Sequence, residues 1–579
     1  MQLEDIKTQL LATKDETEAF LAQIHKFYIQ EIRIDEKLLE IALSELHNSG
    51  DIDFIELVKR LDKSPSKNDF FTILHAFENA LPLLEAKVED ILHSLVHLTQ
   101  QSGRDLATGG VYEAFQQFCS KEVNRPRESI EVILNQKELK AYASFLSCSL
   151  LAFHHDYLTD AIQYIESLST HENERVRSQA YFSLGRLKID INQTNSVWNV
   201  FSAKADIEKN ANCCASMLNA IITFGDSFPS YWPQIENLLA TFIETVSSEV
   251  QLEISHILAF KRVEIPTSTH TLFIEKLVNV SPDHTGIVNN IDHILVNLAK
   301  KELTHLAITL LESTLSSGSN ITSLDYFARN LMDKHKELLN HIVTKWFLSA
   351  DPILCNEIAN LLHDITGKDI NLKADLSLLT DDKSKLFVSY KALGWLFTRP
   401  IAVTSFVLSI FSDVSKNTSE DIEKILYDPL LLSYPGELKQ FLQLCIENKN
   451  NSHLCERLLD KLQSYHDSIE KVSELKELMA PTKNISTYRK EFNKEMNKAR
   501  EEAERSSLAS LFTTQKLLYG NSSIYYMHKS NGEDVRQEMK MQSISHSAEM
   551  PRLNILDPEN LDYKLRIFRY GRMNDEANS

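Results

Sequence analysis

Glu85, Glu89, His93 and His97 recur every fourth residue between positions 82 and 100. That spacing stacks neighbours on one helix face, where His93 and His97 with Glu89 offer two imidazoles and a carboxylate to a zinc ion. The stripe also reads as the solvated side of a helix whose apolar side is Leu84, Val88, Ile91, Leu92, Leu95 and Val96. Arg329 and His335, six positions apart, are a second chemistry-bearing pair. Six steps of an ideal helix turn about 600°, leaving the two side chains about 120° apart unless the helix breaks or a second subunit contributes. The seven cysteines are scattered. Cys213 and Cys214 are adjacent, and Cys445, His453 and Cys455 lack CxxC spacing, so all read as free thiols. No GxxxxGK loop, GxGxxG turn, GxSxG elbow or HExxH helix occurs, so nucleotide binding through those loops is excluded. The expectation is no cofactor and no resident metal, with Glu89, His93 and His97 as the alternative metal set.

Helices must hold these side chains, and helix is what the surrounding pattern dictates. Leu158, Ile162, Ile165 and Leu168 lie at helical spacing, and Val176, Ala180, Leu184 and Leu187 repeat the stripe across a polar turn. Ile235, Leu238, Leu239, Phe242 and Val246 begin another pair, closed by Val250, Ile254, Ile257 and Leu258. The first helices of the pairs start near residues 158, 195, 231, 268, 303 and 336, a period of roughly 33–37 residues. One pair cannot bury its apolar face alone, so neighbours stack and share a core. An irregular helical bundle is the alternative. The pattern predicts an all-α fold, an α-solenoid of antiparallel helix pairs.

Thr170-His171-Glu172-Asn173-Glu174-Arg175-Val176-Arg177, followed by Ala180 and by Leu184-Gly185-Arg186-Leu187, resembles the second helix of a HEAT repeat. The resemblance implies that turn residues cap the helix, that Val176 packs inward, and that Arg177 reaches polar groups of the next repeat. It departs from the family at His171, where an Asp is usual, and in lacking the turn proline. Such a likeness implies a fold and a binding role without chemistry. Arg329-Asn330-Leu331-Met332-Asp333-Lys334-His335 resembles the Arg-x(4–6)-His motif of HEPN ribonucleases, whose Arg and His act on the RNA phosphodiester. That resemblance implies Arg329 and His335 as catalytic residues of a toxin or defence module.

The 579 residues correspond to roughly four domains at about 150 residues each. Gly and Pro, at 14 each, are about half their usual share, which excludes β-sandwich, collagen-like and linker-rich disordered chains. A net charge of −20 disfavours sequence-independent binding to nucleic acid. The acidic start, Met-Gln-Leu-Glu-Asp, lacks the basic and apolar regions of a secretory signal. Lys391, Arg399 and Pro400 interrupt the most apolar stretch, Leu386 to Phe411, leaving it short of the roughly 18 residues of a spanning helix. The expected location is the cytoplasm, away from membranes.

Three segments are expected: a helical, off-period N-terminal region (1–125), HEAT-like repeats (126–480), and a C-terminal α+β element (481–579). The last opens with a helix from Tyr488 to Arg505, in which six basic and five acidic residues alternate. Ile524-Tyr525-Tyr526-Met527 and Val535 to Ile544 flank Ser530-Asn531-Gly532-Glu533, a short hairpin signal. Tyr563 to Phe568 is expected to add a third strand. Tyr525, Tyr526, Tyr563, Arg566, Phe568 and Arg569 are the candidate partner-binding residues, since aromatic and Arg side chains concentrate interface energy. The element reads either as a docking module or as a cap on the last helices. The expected function is a non-catalytic protein-binding scaffold whose partners are one or more proteins. A HEPN-like ribonuclease using Arg329 and His335 is the alternative.

Overall fold

Polar caps and short turns cut the apolar stripes into helices. The computed structural model describes residues 2–31, 37–63, 70–103, 109–244, 246–363, 370–411, 414–449, 451–473, 475, 486–494, 496–497, 522–528, 534–540 and 549–573. Packing divides the chain into two units, Met1–Ser317 and Gly318–Ser579.

The first unit opens with α1 (Leu3–Leu11), α2 (Thr17–Glu31), α3 (Leu38–Asn48), α4 (Phe54–Val58), α5 (Phe70–Ala80), α6 (Val88–Ser102) and α7 (Gly110–Ser120). Next come α8 (Arg125–Leu134), α9 (Leu139–Tyr142), α10 (Leu146–Leu151), α11 (Leu158–Leu168), α12 (Glu174–Leu184), α13 (Thr194–Ala205) and α14 (Ala211–Ser227). It closes with α15 (Trp232–Phe242), α16 (Ser248–Phe260), α17 (Thr267–Leu277), α18 (Thr285–Lys300) and α19 (Thr304–Ser316). Alternate helices pack on one another. α1, α3, α5, α7, α10, α12, α14, α16 and α18 form one layer, and α11, α13, α15, α17 and α19 a second. α4, α6 and α8 obey the same alternation. α11, α13, α15, α17 and α19 start within one residue of the expected positions.

The register is stricter in the first layer. The N-cap residues of α12, α14, α16 and α18 are Asn173, Asn210, Ser247 and His284, each 37 residues after the last. Three of them cap chemically: Asn173 accepts from Arg175 N, Asn210 from Asn212 N and Cys213 N, and Ser247 from Val250 N, satisfying donors that a helix start leaves open. Hydrogen bonds between successive repeats mostly join residues 31 to 42 apart. Those separations match one stacked repeat.

The second unit contains α20 (Asp325–Lys334), α21 (Lys336–Ser349), α22 (Pro352–His363), α23 (Asp382–Leu396), α24 (Pro400–Phe411), α25 (Lys416–Ile425), α26 (Pro435–Glu447) and α27 (Ser452–Ser473). α21, α23 and α25 pack in alternation, as do α24 and α26. α23 is buried on every side, Phe387, Val388, Lys391, Leu393 and Gly394 included, because α21, α22, α24, α25 and a C-terminal helix surround it. The apolar stretch from Leu386 to Phe411 is thus two helices of one core. Among the described residues no helix is long and apolar enough to cross a membrane.

Beyond α27 lie a helix at 486–494 (α28), two strands, β1 (Ser522–His528) and β2 (Asp534–Lys540), then α29 (Leu553–Leu556) and α30 (Pro558–Tyr570). β1 and β2 pair antiparallel, Ile524 opposite Glu538 and Tyr526 opposite Arg536. Positions 498–505 of the expected charged helix lie outside the described residues. The expected third strand is corrected: Tyr563 to Phe568 is the middle of α30. Pro558 at its first turn sets the helical φ, and Leu561 and Leu565, one turn apart, are its buried residues. What packs residues 549–573 onto the rest of the second unit is therefore helix.

Candidate functional site

Arg177 fixes how one repeat meets the next. Its Nε and Nη2 donate to Glu208 Oε2 at 2.8 Å and Oε1 at 3.1 Å, and its Nη1 reaches His171 O and Glu172 O at 2.9 and 3.1 Å. Glu208 in turn accepts from Lys209 N and Asn210 N at 3.1 and 2.9 Å. Burial alone would push this carboxyl up. The Arg177 fork and the two backbone N–H groups outweigh that and hold it below its ordinary value. Val176 is fully buried. The expected capping, inward packing and cross-repeat reach of this helix are all present.

The 37-residue register repeats side chains on the open face of the first layer. Six positions after each N-cap stand Gln179, Ser216, Glu253 and Asn290; nine after, Phe182, Asn219, His256 and His293; thirteen after, Arg186, Thr223, Phe260 and Asn297. All twelve are half-buried or exposed. Four of them bond across the helices: Ser216 Oγ to Ser178 Oγ at 2.8 Å, Asn219 Nδ2 to Glu253 Oε1, and Asn290 Nδ2 to Ser255 Oγ at 2.9 Å. Phe260 sits between His256 and His293, at 5.5 and 5.0 Å between ring centres, while Arg186 lies 3.5 Å over the Phe182 ring. The face is a grid of amides, hydroxyls and rings.

Its α12 edge opens into a groove of about 760 Å³ across α7, α10 and α12. Tyr112, Gln116, Gln117, Ser147, Gln179 and Phe182 are among its lining. At the other end of the α14 row, Lys261 Nζ donates to Asn219 O and Oδ1, both at 3.1 Å, and to Thr223 Oγ1. Burial pushes this ammonium down to about 8, with Arg186 adding to the fall and the carboxylates of Glu253 and Asp226 opposing it. A lysine depressed on folding makes the unfolded chain bind more protons between its two pKa values, so stability rises with pH there. Between pH 7.5 and 9.5 the wild-type chain should gain ~1–2 kcal/mol over Lys261→Met, read from urea midpoints at each pH. Parallel pH profiles would show that Lys261 is solvated.

The expected site residues do not gather. His97 Nε2 lies 3.0 Å from Leu61 O and the His93 ring packs edge-on to Tyr142, while Glu89 is exposed. Among the described residues no three His, Cys, Asp or Glu groups are placed to hold a metal ion. Arg329 Nε turns back along its own helix to Asp325 Oδ1 at 2.8 Å, both side chains exposed. α20 ends at Lys334, and His335 sits half-buried at the break before α21. Phe568 and Arg569 face α23: Phe568 stacks on Tyr390 at 4.9 Å and Arg569 Nε donates to Gly394 O at 2.6 Å. Arg566 pairs with Asp562 within α30, and Tyr563 is 65% exposed. Tyr525 and Tyr526 lie in β1, with side chains outside the described residues. The sequence reading missed the grid, whose signal is the exact 37-residue recurrence of polar positions.

No family model and no curated protein matches the chain. Among solved structures it is similar to a circular tandem repeat protein with novel repeat topology and enhanced subunit contact surfaces. The two are 11% identical, over 82% of this chain and 96% of that one, with a TM-score of 0.13. A score that low carries no argument about fold or function.

Proposed function

We propose that the chain is a protein-binding scaffold of HEAT-like repeats, and that its first unit binds through the grid and the groove continuous with it. The observation that carries this is the recurrence of Gln179, Ser216, Glu253 and Asn290 on four successive helices. Packed helices lie about 8–10 Å apart, which is about three residues of an extended chain at 3.3 Å each. The Gln179 and Asn290 amides and the Ser216 hydroxyl, which both donate and accept, and the Glu253 carboxylate, which accepts, suit the alternating N–H and C=O groups of such a segment. The HEAT-like reading is supported by Asn173, Val176 and Arg177, in their cap, core and cross-repeat positions. Seven cysteines outside any disulfide suit a reducing compartment such as the cytoplasm.

A random-peptide selection on the purified full chain should enrich sequences whose affinity falls at least about tenfold, or 1.4 kcal/mol, in a Gln116→Ala/Gln179→Ala/Phe182→Ala variant of unchanged melting temperature. Enriched peptides indifferent to those changes would move the binding surface elsewhere. RNA cleavage lost in both Arg329→Ala and His335→Ala would overturn the scaffold reading altogether.

A further inference from the structure

Residues 549–573 cross the second unit as a strap. The Glu549 carboxylate accepts from Gly436 N and Glu437 N at the start of α26, at 2.9 and 2.7 Å, and Arg552 N donates to Ser433 O at 3.0 Å. α30 then meets α23 backbone to backbone. A Cβ on Gly394 would stand 2.8 Å from Arg569 N and 2.9 Å from Phe568 C. Lys391, 1% exposed, donates from Nζ to Arg569 O and Gly571 O at 2.6 Å each, satisfying carbonyls that the end of α30 leaves open.

The seat leaves polar atoms that this helix does not match. Among the described residues four buried side-chain polar atoms lack a hydrogen-bond partner, and two of them, Trp395 Nε1 and Ser433 Oγ, lie at the strap. Arg569 and Tyr570 cover the Trp395 ring at 5.8 and 5.9 Å without accepting from its N–H. Covering a donor and leaving it unpaired opposes docking. The apolar hold is thin as well: Leu561 and Leu565 are the buried residues of α30, while Tyr563, Ile567 and Tyr570 are 65%, 48% and 60% exposed.

We propose that the face of α23 around Tyr390, Lys391, Gly394 and Trp395 is a docking site for an amphipathic helix of a partner protein, with α30 as its tethered placeholder. This site is separate from the grid of the first unit. The partner helix ends over Gly394, gives its last carbonyls to Lys391 and a ring to Tyr390, and supplies the acceptor that Trp395 lacks.

The test uses the full chain and a fluorescent peptide of residues 549–573 as probe. Leu561→Asp with Leu565→Asp removes the two buried leucines of α30 and leaves the residues of the seat unchanged. Wild type should not take up the peptide, the released variant should bind it, and Gly394→Leu added to that variant should abolish binding. A Tyr570→Glu peptide, which carries an acceptor toward Trp395, should bind at least ~3-fold tighter. Equal binding by wild type and the released variant, or none by the latter, overturns the site. A released variant that melts more than ~10 °C lower marks the strap as a structural cap and overturns the placeholder. A Tyr570→Glu peptide that binds no better overturns the acceptor assignment.

Discussion

Arg177→Ala should lower the stability of the Met1–Ser317 unit by about 3 kcal/mol, the low end of what removing one partner from a buried ion pair costs. Glu208 keeps only 5% of its side chain exposed and Arg177 19%, so the orphaned carboxylate has little water to turn to. Arg177→Met with Glu208→Met should cost less than the two single changes added together, because no charge is then stranded. The pair also carries a pH signature. Glu208 is held below its ordinary 4.5 in the folded chain, so its contribution is complete above that value and is lost as pH falls through the folded pKa. Glu208→Gln should therefore flatten the acid limb of the stability profile. Urea midpoints from pH 7 down to pH 3 measure both effects, and an Arg177→Ala midpoint equal to wild type would make the pair a bystander.

Gly185→Val should be at least as damaging, for a steric reason. Gly185 follows α12 with φ −72°, a conformation open to any residue, so no backbone strain arises. A Cβ there would lie 2.5 Å from Ala220 Cα and 2.8 Å from Ala220 Cβ, and a main-chain atom cannot swing aside. Overpacking costs about 1–3 kcal/mol where side chains can shift, so a loss of about 3 kcal/mol or more is expected here. Ala220→Gly removes the atom at 2.8 Å and leaves the one at 2.5 Å, so as a second-site change it should recover less than half. Hydrogen exchange should quicken in α12 and α14 and stay unchanged in α3 and α5, since stacked repeats lean chiefly on their neighbours. Full rescue by Ala220→Gly would mean that the backbones can part.

The starts of α11, α13, α15, α17 and α19 were legible because apolar stripes of one length recur between polar turns, and burial acts on those residues directly. The grid was not legible in the same way. Its columns change residue type at each step, Gln179 to Ser216 to Glu253 to Asn290, and half-exposed positions tolerate such changes; what recurs is the place after the cap. α30 read as a strand because Tyr563 to Ile567 alternates apolar and polar for five residues. A window that short holds fewer than two helical turns, and Leu561, Leu565 and Phe568 show the helical period once the window opens to Pro558. The N-terminal alternation was hidden by length: α4 has five residues, too few to display a stripe. Arg177 stood out because its neighbours Asn173 and Val176 are cap and core at once.

The spans of chain enclosed by these contacts set an order of assembly. Bonds between stacked repeats close loops of about 35 residues, as from Ser255 to Asn290, whereas Lys391 reaches Arg569 across 178. Closing the longer loop costs ~1.4 kcal/mol more in chain entropy. Repeats can therefore zip from any adjacent pair, and a nascent chain can finish its first unit before its last residues exist. The strap belongs to the other regime: its two anchors are made only when everything between them has been synthesised. The surface of α23 that it covers is bare until residues 549–573 have emerged, which makes that interval the time when another helix could reach it first.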